Sequence, residues 1–183
     1  MKMTWSRVMI NISFRGISYW FTVLIAIAAG GCAPSAQKEL GIYLIRDDLP
    51  TDQFQAADLN DLELLDQPII STADIISYSK ATHAIELNNE AFQRIQDLFL
   101  LPVDVDGIPF VISVGGEPVY GGAFWTPASS LIFDGVIIMD PFAEDSTTIR
   151  LDLGYPSPEM VSGADPRSDT RIMEALEAAG KLR

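Results

Sequence analysis

The stretch "GIPFVISVGGEPVYGGAFW", Gly107 to Trp125, restricts what this chain can fold into more than any other. Phe110, Ile112 and Val114 fall on one face of an extended segment, and Gly115-Gly116 accepts the positive backbone angles that a two-residue hairpin turn needs. A hairpin here presents an apolar face that has to be buried, so the fold must contain a sheet. Gly121-Gly122 in the return segment marks either a bulge or a close approach of another part of the chain.

A second hairpin is expected upstream. Asp74 to Ser79 reads as a strand, Lys80 to His83 as a turn and Ala84 to Leu87 as the partner strand. Asn88 or Asn89 then caps a helix, Glu90 sits in its first turn, and Phe92, Ile95, Leu98 and Phe99 recur at helical spacing. Gly41 to Arg46 has strand composition, whereas "DDLPTDQFQAADLNDLELL" after it is polar, with scattered apolar residues only. "GVIIMD" and "TTIRLDL" read as further strands, and "YPSPEMVSGADP" as irregular chain. Ser168 or Asp169 caps a closing helix with Ile172, Leu176 and Ala179 as its stripe and Gly180 as its stop. The fold class expected is α+β: a small antiparallel or mixed β-sheet with two main helices packed on one face.

The first 31 residues are of a different kind. Lys2, Arg7 and Arg15 supply three positive charges with no acid, the segment from Ile17 to Ala29 is apolar apart from Ser18 and Thr22, and Gly30-Gly31 are small. From Gly16 to Gly31 the run is 16 residues, below the roughly 20 that a helix needs to cross hydrocarbon. That order is the order of an export signal. Ala29-Gly30-Gly31-Cys32 resembles the lipobox of bacterial lipoproteins, in which small residues precede a cysteine that receives diacylglycerol before cleavage; the family usually has leucine where this chain has Ala29. The resemblance implies lipid attachment at Cys32, membrane anchoring through that lipid, and location at the outer membrane in a host with two membranes. A retained signal anchor is the alternative. The expected organisation is a signal over 1–31, an acylated tether over 32–40 and a single acidic domain over 41–183.

Removing the signal's three cations from the chain's 12 leaves nine basic against 25 acidic residues, a net charge of -16 beyond Gly31. Such a domain repels phosphate backbones, so nucleic acid is not expected as a partner, while cationic partners are drawn to it. One cysteine and one histidine, His83, exclude an internal disulfide and a Cys/His zinc site. No cofactor and no metal is expected. Asp58, Asp61, Glu63 and Asp66 form an acidic loop that calcium-dependent adhesion or stabilisation would use, against the plainer reading of a solvated loop. Asp104-Val105-Asp106-Gly107 fails the calcium-loop template, because Pro102 and Ser113 stand where carboxylates are required, and reads as a turn. Ser129 and Ser130 lack the sharp-turn context of a catalytic serine, and no catalytic residue is identified. Tyr120, Phe124 and Trp125, beside the "TPASS" loop, are candidates for a binding surface; the competing reading has Phe124 and Trp125 alternate between core and surface of a strand.

The runs "AIELNNEAFQRI", "FVISVGGEPVYGGAF" and "RIMEALEAAGKLR" together resemble the periplasmic head domain of SecD, the protein-export accessory subunit. The likeness covers about half of the exported part, leaves out Phe133 to Arg167, and implies an α+β head used for contacts with other proteins, with no functional residue carried over. The expected function is a membrane-anchored envelope lipoprotein that binds another envelope protein or ligand without chemistry. A carboxylate-based envelope hydrolase is the alternative from a different class, and requires two acids across a cleft.

Overall fold

The two margins of the sheet lie three residues apart in the chain, and this connection dictates the architecture. The computed structural model describes residues 38–47, 49–100, 104–141 and 146–183. Its strands are β1 (Leu40–Leu44), β2 (Ile70–Ser71), β3 (Ile75–Ser79), β4 (Ala84–Leu87), β5 (Ile108–Val114), β6 (Glu117–Trp125), β7 (Phe133–Met139) and β8 (Thr148–Tyr155). They form one eight-stranded sheet in the order β2-β1-β5-β6-β7-β8-β4-β3. β6 and β7 pair in parallel, and every other neighbouring pair is antiparallel. β2 and β3 are the opposite margins of that order, and only Thr72, Ala73 and Asp74 separate them. A flat sheet of this width cannot satisfy so short a link, so the sheet curls until its margins meet.

The concave side holds the main core. The helix α2 (Asn89–Asp97) and the helix α3 (Thr170–Ala178) lie there, and Phe92, Ile95, Ile172 and Leu176 join strand residues such as Ile42, Leu87, Phe110 and Ile138 in one cluster. Asn88 caps α2 by accepting from the Ala91 N–H at 2.8 Å, and Asp169 caps α3 by accepting from the Arg171 N–H at 2.9 Å. Gly180, at φ 68°, ends α3, with the Lys181 N–H donating to Leu176 O at 2.8 Å. α3 packs against β1 and β5, while the residues after it pair with β3: the Tyr78 N–H donates to Lys181 O at 2.7 Å and the Arg183 N–H to Tyr78 O at 2.8 Å. The C-terminal residues thus span the concavity and cover the β3 margin.

This corrects the expectation of a small sheet with two helices on one face. Among the described residues the sheet has eight strands and curls, three short α-helices accompany it, and both of its faces are covered. The third helix, α1 (Thr51–Ala56), falls in the segment read as polar connection. It has one buried apolar residue, Phe54, and so gives no periodic signal. Gly115 and Gly116, at φ 62° and 83°, form the two-residue turn, which the Val114–Glu117 register confirms. The shift in register opposite Ile112 and Ser113 falls at Val119, before the Gly121-Gly122 pair. Those two glycines serve close approach instead: a Cβ on Gly121 would lie 2.5 Å from Phe54 Cζ, and one on Gly122 2.5 Å from Val136 O. Strand β1 begins at Leu40, one residue before the expected start of the domain. The signal segment and Cys32 lie outside the described residues.

Asp74 secures the link between the margins. Its carboxylate accepts from the Ser71 N–H at 2.8 Å, the Ser71 hydroxyl at 2.7 Å and Asn88 Nδ2 at 3.2 Å, and pairs with Arg94 at 2.8 Å. Arg94 Nε also donates to Ile69 O at 3.1 Å, tying α2 to the approach to β2. Burial acts to raise the Asp74 pKa, but the bonds from Ser71, Arg94 and Asn88 outweigh it and hold the carboxyl below its ordinary 3.8. Asp74→Ala should cost about 2–3 kcal/mol, since the bonds lost are to a charged acceptor, and lower Tm by roughly 5–10 °C. A carboxyl with a depressed folded-state pKa contributes stability that is complete above its unfolded value and lost as pH falls through the folded one. The stability difference between wild type and Asp74→Asn, followed by chemical denaturation, should therefore be constant above the ordinary 3.8 and shrink as pH drops below it.

Candidate functional site

The three aromatics singled out in the sequence do not share a surface. Side chains alternate along β6, so Phe124 and Trp125, as neighbours, point to opposite faces. Tyr120 and Phe124 belong to the concave core, where Phe124 lies 5.1 Å from Phe110 and 6.4 Å from Phe99 between ring centroids. Trp125 faces the convex side and anchors a second, smaller cluster with Ala123, Phe133 and Ile137. Its ring centroid is 5.2 Å from that of Phe133 and 5.8 Å from that of Tyr155. All three aromatics are buried, and the Tyr120 hydroxyl and Trp125 Nε1 have no hydrogen-bond partner among the described residues.

α1 crosses the convex face over this cluster. Phe54 seats in the space left by Gly121, Gln55 Nε2 donates to Asp134 O at 2.7 Å, and the Thr51 hydroxyl donates to Asp106 O. Between α1 and residues 131–133 runs a groove of about 370 Å³. Trp125 and Phe133 form its floor, and Leu131 and Ile132 one wall, with 48% and 66% of their surfaces exposed. Asp52 stands on the α1 side and Asp106 is also in the lining. A second groove of about 430 Å³ lies on the other side of the start of α1, shares Pro50, Thr51 and Asp106, and adds Asp47 and Asp104. Its one cation among the described residues, Arg46, already pairs with Asp66 at 2.9 Å and Glu63 at 3.8 Å.

Asp104 to Gly107 shapes the rim. The Asp106 N–H donates to Asp104 Oδ1 at 2.9 Å, and Gly107 adopts φ 82°. A Cβ on Gly107 would lie 2.4 Å from Trp125 Cζ3, so glycine is required both by the backbone angle and by the indole packed over it.

Three of the four acids of the 58–66 loop, Asp58, Glu63 and Asp66, are engaged locally, and Asp61 is exposed in the 3₁₀ turn. Asp58 accepts from the Asn60 N–H at 2.9 Å and caps a short 3₁₀ turn, while Glu63 and Asp66 face Arg46. Among the described residues no group of three or more His, Cys, Asp or Glu side chains is placed to hold a metal ion. The carboxylates whose ionisation the fold displaces, Asp58, Asp74, Asp134, Glu159, Asp165 and Asp169, are all displaced downward. None of them is tuned as the general acid that glycoside cleavage requires. Ser129 is buried, with its Oγ accepting from the Leu131 N–H at 3.2 Å.

One polar cluster escaped the sequence reading. The Tyr78 hydroxyl lies 2.8 Å from His83 Nδ1 and donates to Arg167 O at 3.2 Å, while Arg167 clasps Asp165 and donates to Leu151 O at 2.8 Å. Burial lowers the His83 pKa and the Arg167 charge lowers it further, against the opposing field of Asp165. Burial pushes Tyr78 up to about 12. His83 itself occupies φ 53°, at the tip of the β3–β4 hairpin. Tyr78 and Arg167 are 89 residues apart, a pairing that no local pattern announces.

No family model, no curated protein and no solved structure matches this chain. The convex groove over Trp125 is the site in which exposed aliphatic side chains, buried aromatics and unbalanced charge coincide. Gly107→Ala should test the rim that frames it. The substitution forces a left-handed backbone on alanine and a methyl group into the indole, so a loss of about 2–4 kcal/mol is expected by chemical denaturation. A red shift in Trp125 emission should accompany it.

Proposed function

We propose that this protein is an envelope lipoprotein, held at a membrane by lipid on Cys32, whose folded domain binds a partner and performs no chemistry. The observation that carries the reading is the 16-residue apolar run from Gly16 to Gly31, which ends in Ala-Gly-Gly directly before Cys32 and is too short to span. Several acyl chains on one cysteine hold a protein durably, where a single chain does not. In a host with two membranes the outer one is the expected location. The binding role is supported by the convex groove, where exposed Leu131 and Ile132 stand beside buried Trp125 and Phe133.

The start of β1 gives the anchor a geometry. Ala33 to Glu39 is seven residues, so the tether reaches at most about 25 Å. Leu40 enters the sheet beside the β5–β6 turn, where the Gly115 N–H donates to Glu39 O at 2.8 Å. Trp125 and Asp106 lie at the other end of that hairpin, about 20 Å away along β5.

Metabolic labelling with radioactive palmitate is the test. The wild type should incorporate label and Cys32→Ser should not, while an uncleaved apolar segment keeps either form at the membrane. Label persisting in Cys32→Ser would overturn the lipoprotein reading.

A further inference from the structure

We propose that the convex groove over Trp125 seats a basic peptide segment that carries an aliphatic or aromatic anchor residue. The inference rests on the reading of the domain as a binding module and names the class of its partner. Its first ground is the make-up of the groove. Leu131 and Ile132 keep about half or more of their surface in water directly beside buried Trp125 and Phe133. An apolar side chain inserted there covers both aliphatics and meets the aromatic floor. The volume of about 370 Å³ lies within the range of ligand sites, roughly 300–1,000 Å³.

The second ground is charge. Asp52 and Asp106 line the groove and, among the described residues, no Lys or Arg does. Beyond Pro50 and Thr51 the neighbouring groove continues with Asp47 and Asp104, and its Arg46 is already neutralised by Glu63 and Asp66. A ligand that crosses from one groove to the other therefore meets carboxylates on an apolar bed. Lysine or arginine residues flanking an apolar anchor match that arrangement, and an acidic peptide does not. The net charge of -16 beyond Gly31 steers a cationic segment toward the domain and opposes approach by a second copy of it.

The chain provides its own probe. Its three tryptophans are Trp5, Trp20 and Trp125. In protein carrying Trp5→Phe and Trp20→Phe, held in a non-ionic detergent, Trp125 is the sole indole whether or not residues 1–31 are cleaved, and it reports on the groove directly. A short peptide of alternating lysine and leucine is titrated in, beside a counterpart with glutamate in place of lysine. The lysine peptide should change Trp125 emission saturably, with an affinity that falls as salt is raised. Asp52→Asn combined with Asp106→Asn should weaken binding about tenfold, and Ile132→Asp should do so separately, each about 1.4 kcal/mol. Both variants should melt as the parent does, because these side chains are exposed or lie at the groove wall. The proposal is overturned if the glutamate peptide binds equally, if either variant binds undiminished, or if emission does not respond to the lysine peptide. Emission that follows detergent concentration would assign the groove to an acyl chain, and emission that follows protein concentration alone would assign it to a second copy; either result also overturns it. Palmitate labelling and the titration separate the two readings, since a wild type that binds the lysine peptide but takes up no label removes the anchor and leaves the groove.

Discussion

Asp74 holds the one covalent joint between the two margins of an eight-stranded sheet, and much of the structure depends on that joint staying short. Three residues connect β2 to β3. Four groups, two from Ser71 and one each from Asn88 and Arg94, converge on the Asp74 carboxylate. The same Asn88 that reaches Asp74 also caps α2. Closing the sheet and starting the helix that fills it are therefore one local event. The margins themselves leave little backbone open to pairing with another chain: β2 has two residues, and β3 is paired by Lys181 to Arg183.

A curled sheet has two unequal sides. The concave side is filled by α2 and α3, whose apolar stripes have a matching surface to bury. The convex side diverges, and short segments can cover it only in part. α1 achieves close contact on Gly121, where the missing side chain admits Phe54. Further along, the cover thins to Leu131 and Ile132, and Trp125 lies at the base of the gap. The groove is thus a consequence of curvature together with a one-turn-and-a-half helix that is too short to close it.

The parts of the fold that could be read in advance are those written in neighbouring residues. The Gly115-Gly116 turn, the Ala84–Leu87 strand, the Asn88 and Asp169 caps and the Gly180 stop each depend on a few consecutive side chains. The size and closure of the sheet depend on pairings between distant segments, such as β1 with β5, β4 with β8 and the parallel β6–β7 pair. Nothing in "GIYLIR" or "TTIRLDL" specifies those partners. Adjacent Phe124 and Trp125 had to face opposite ways on any strand. What their spacing left open was that both faces are buried, because the convex cover comes from α1, which carries a single apolar anchor. The Tyr78–His83–Arg167 cluster was hidden for the same reason, since it joins a hairpin to a turn far along the chain.

The acidity of the domain is partly structural. Asp58, Asp74, Asp165 and Asp169 cap turns and helices or clasp arginines, and their hydrogen bonds hold them ionised. Replacing Asp74, Asp165 or Asp169 by a neutral side chain loses an ion pair with arginine, whereas the caps themselves need only an accepting oxygen. Asp52 and Asp106 differ: neither carboxylate caps an element or closes an ion pair among the described residues. Their place beside an apolar floor concentrates negative potential where a low-dielectric wall screens it least. Asp52 also lies in the first turn of α1, where the helix dipole favours an acid, and both charges border the groove. That separation of structural from unengaged carboxylates is the physical basis for expecting the domain to select its partner by positive charge.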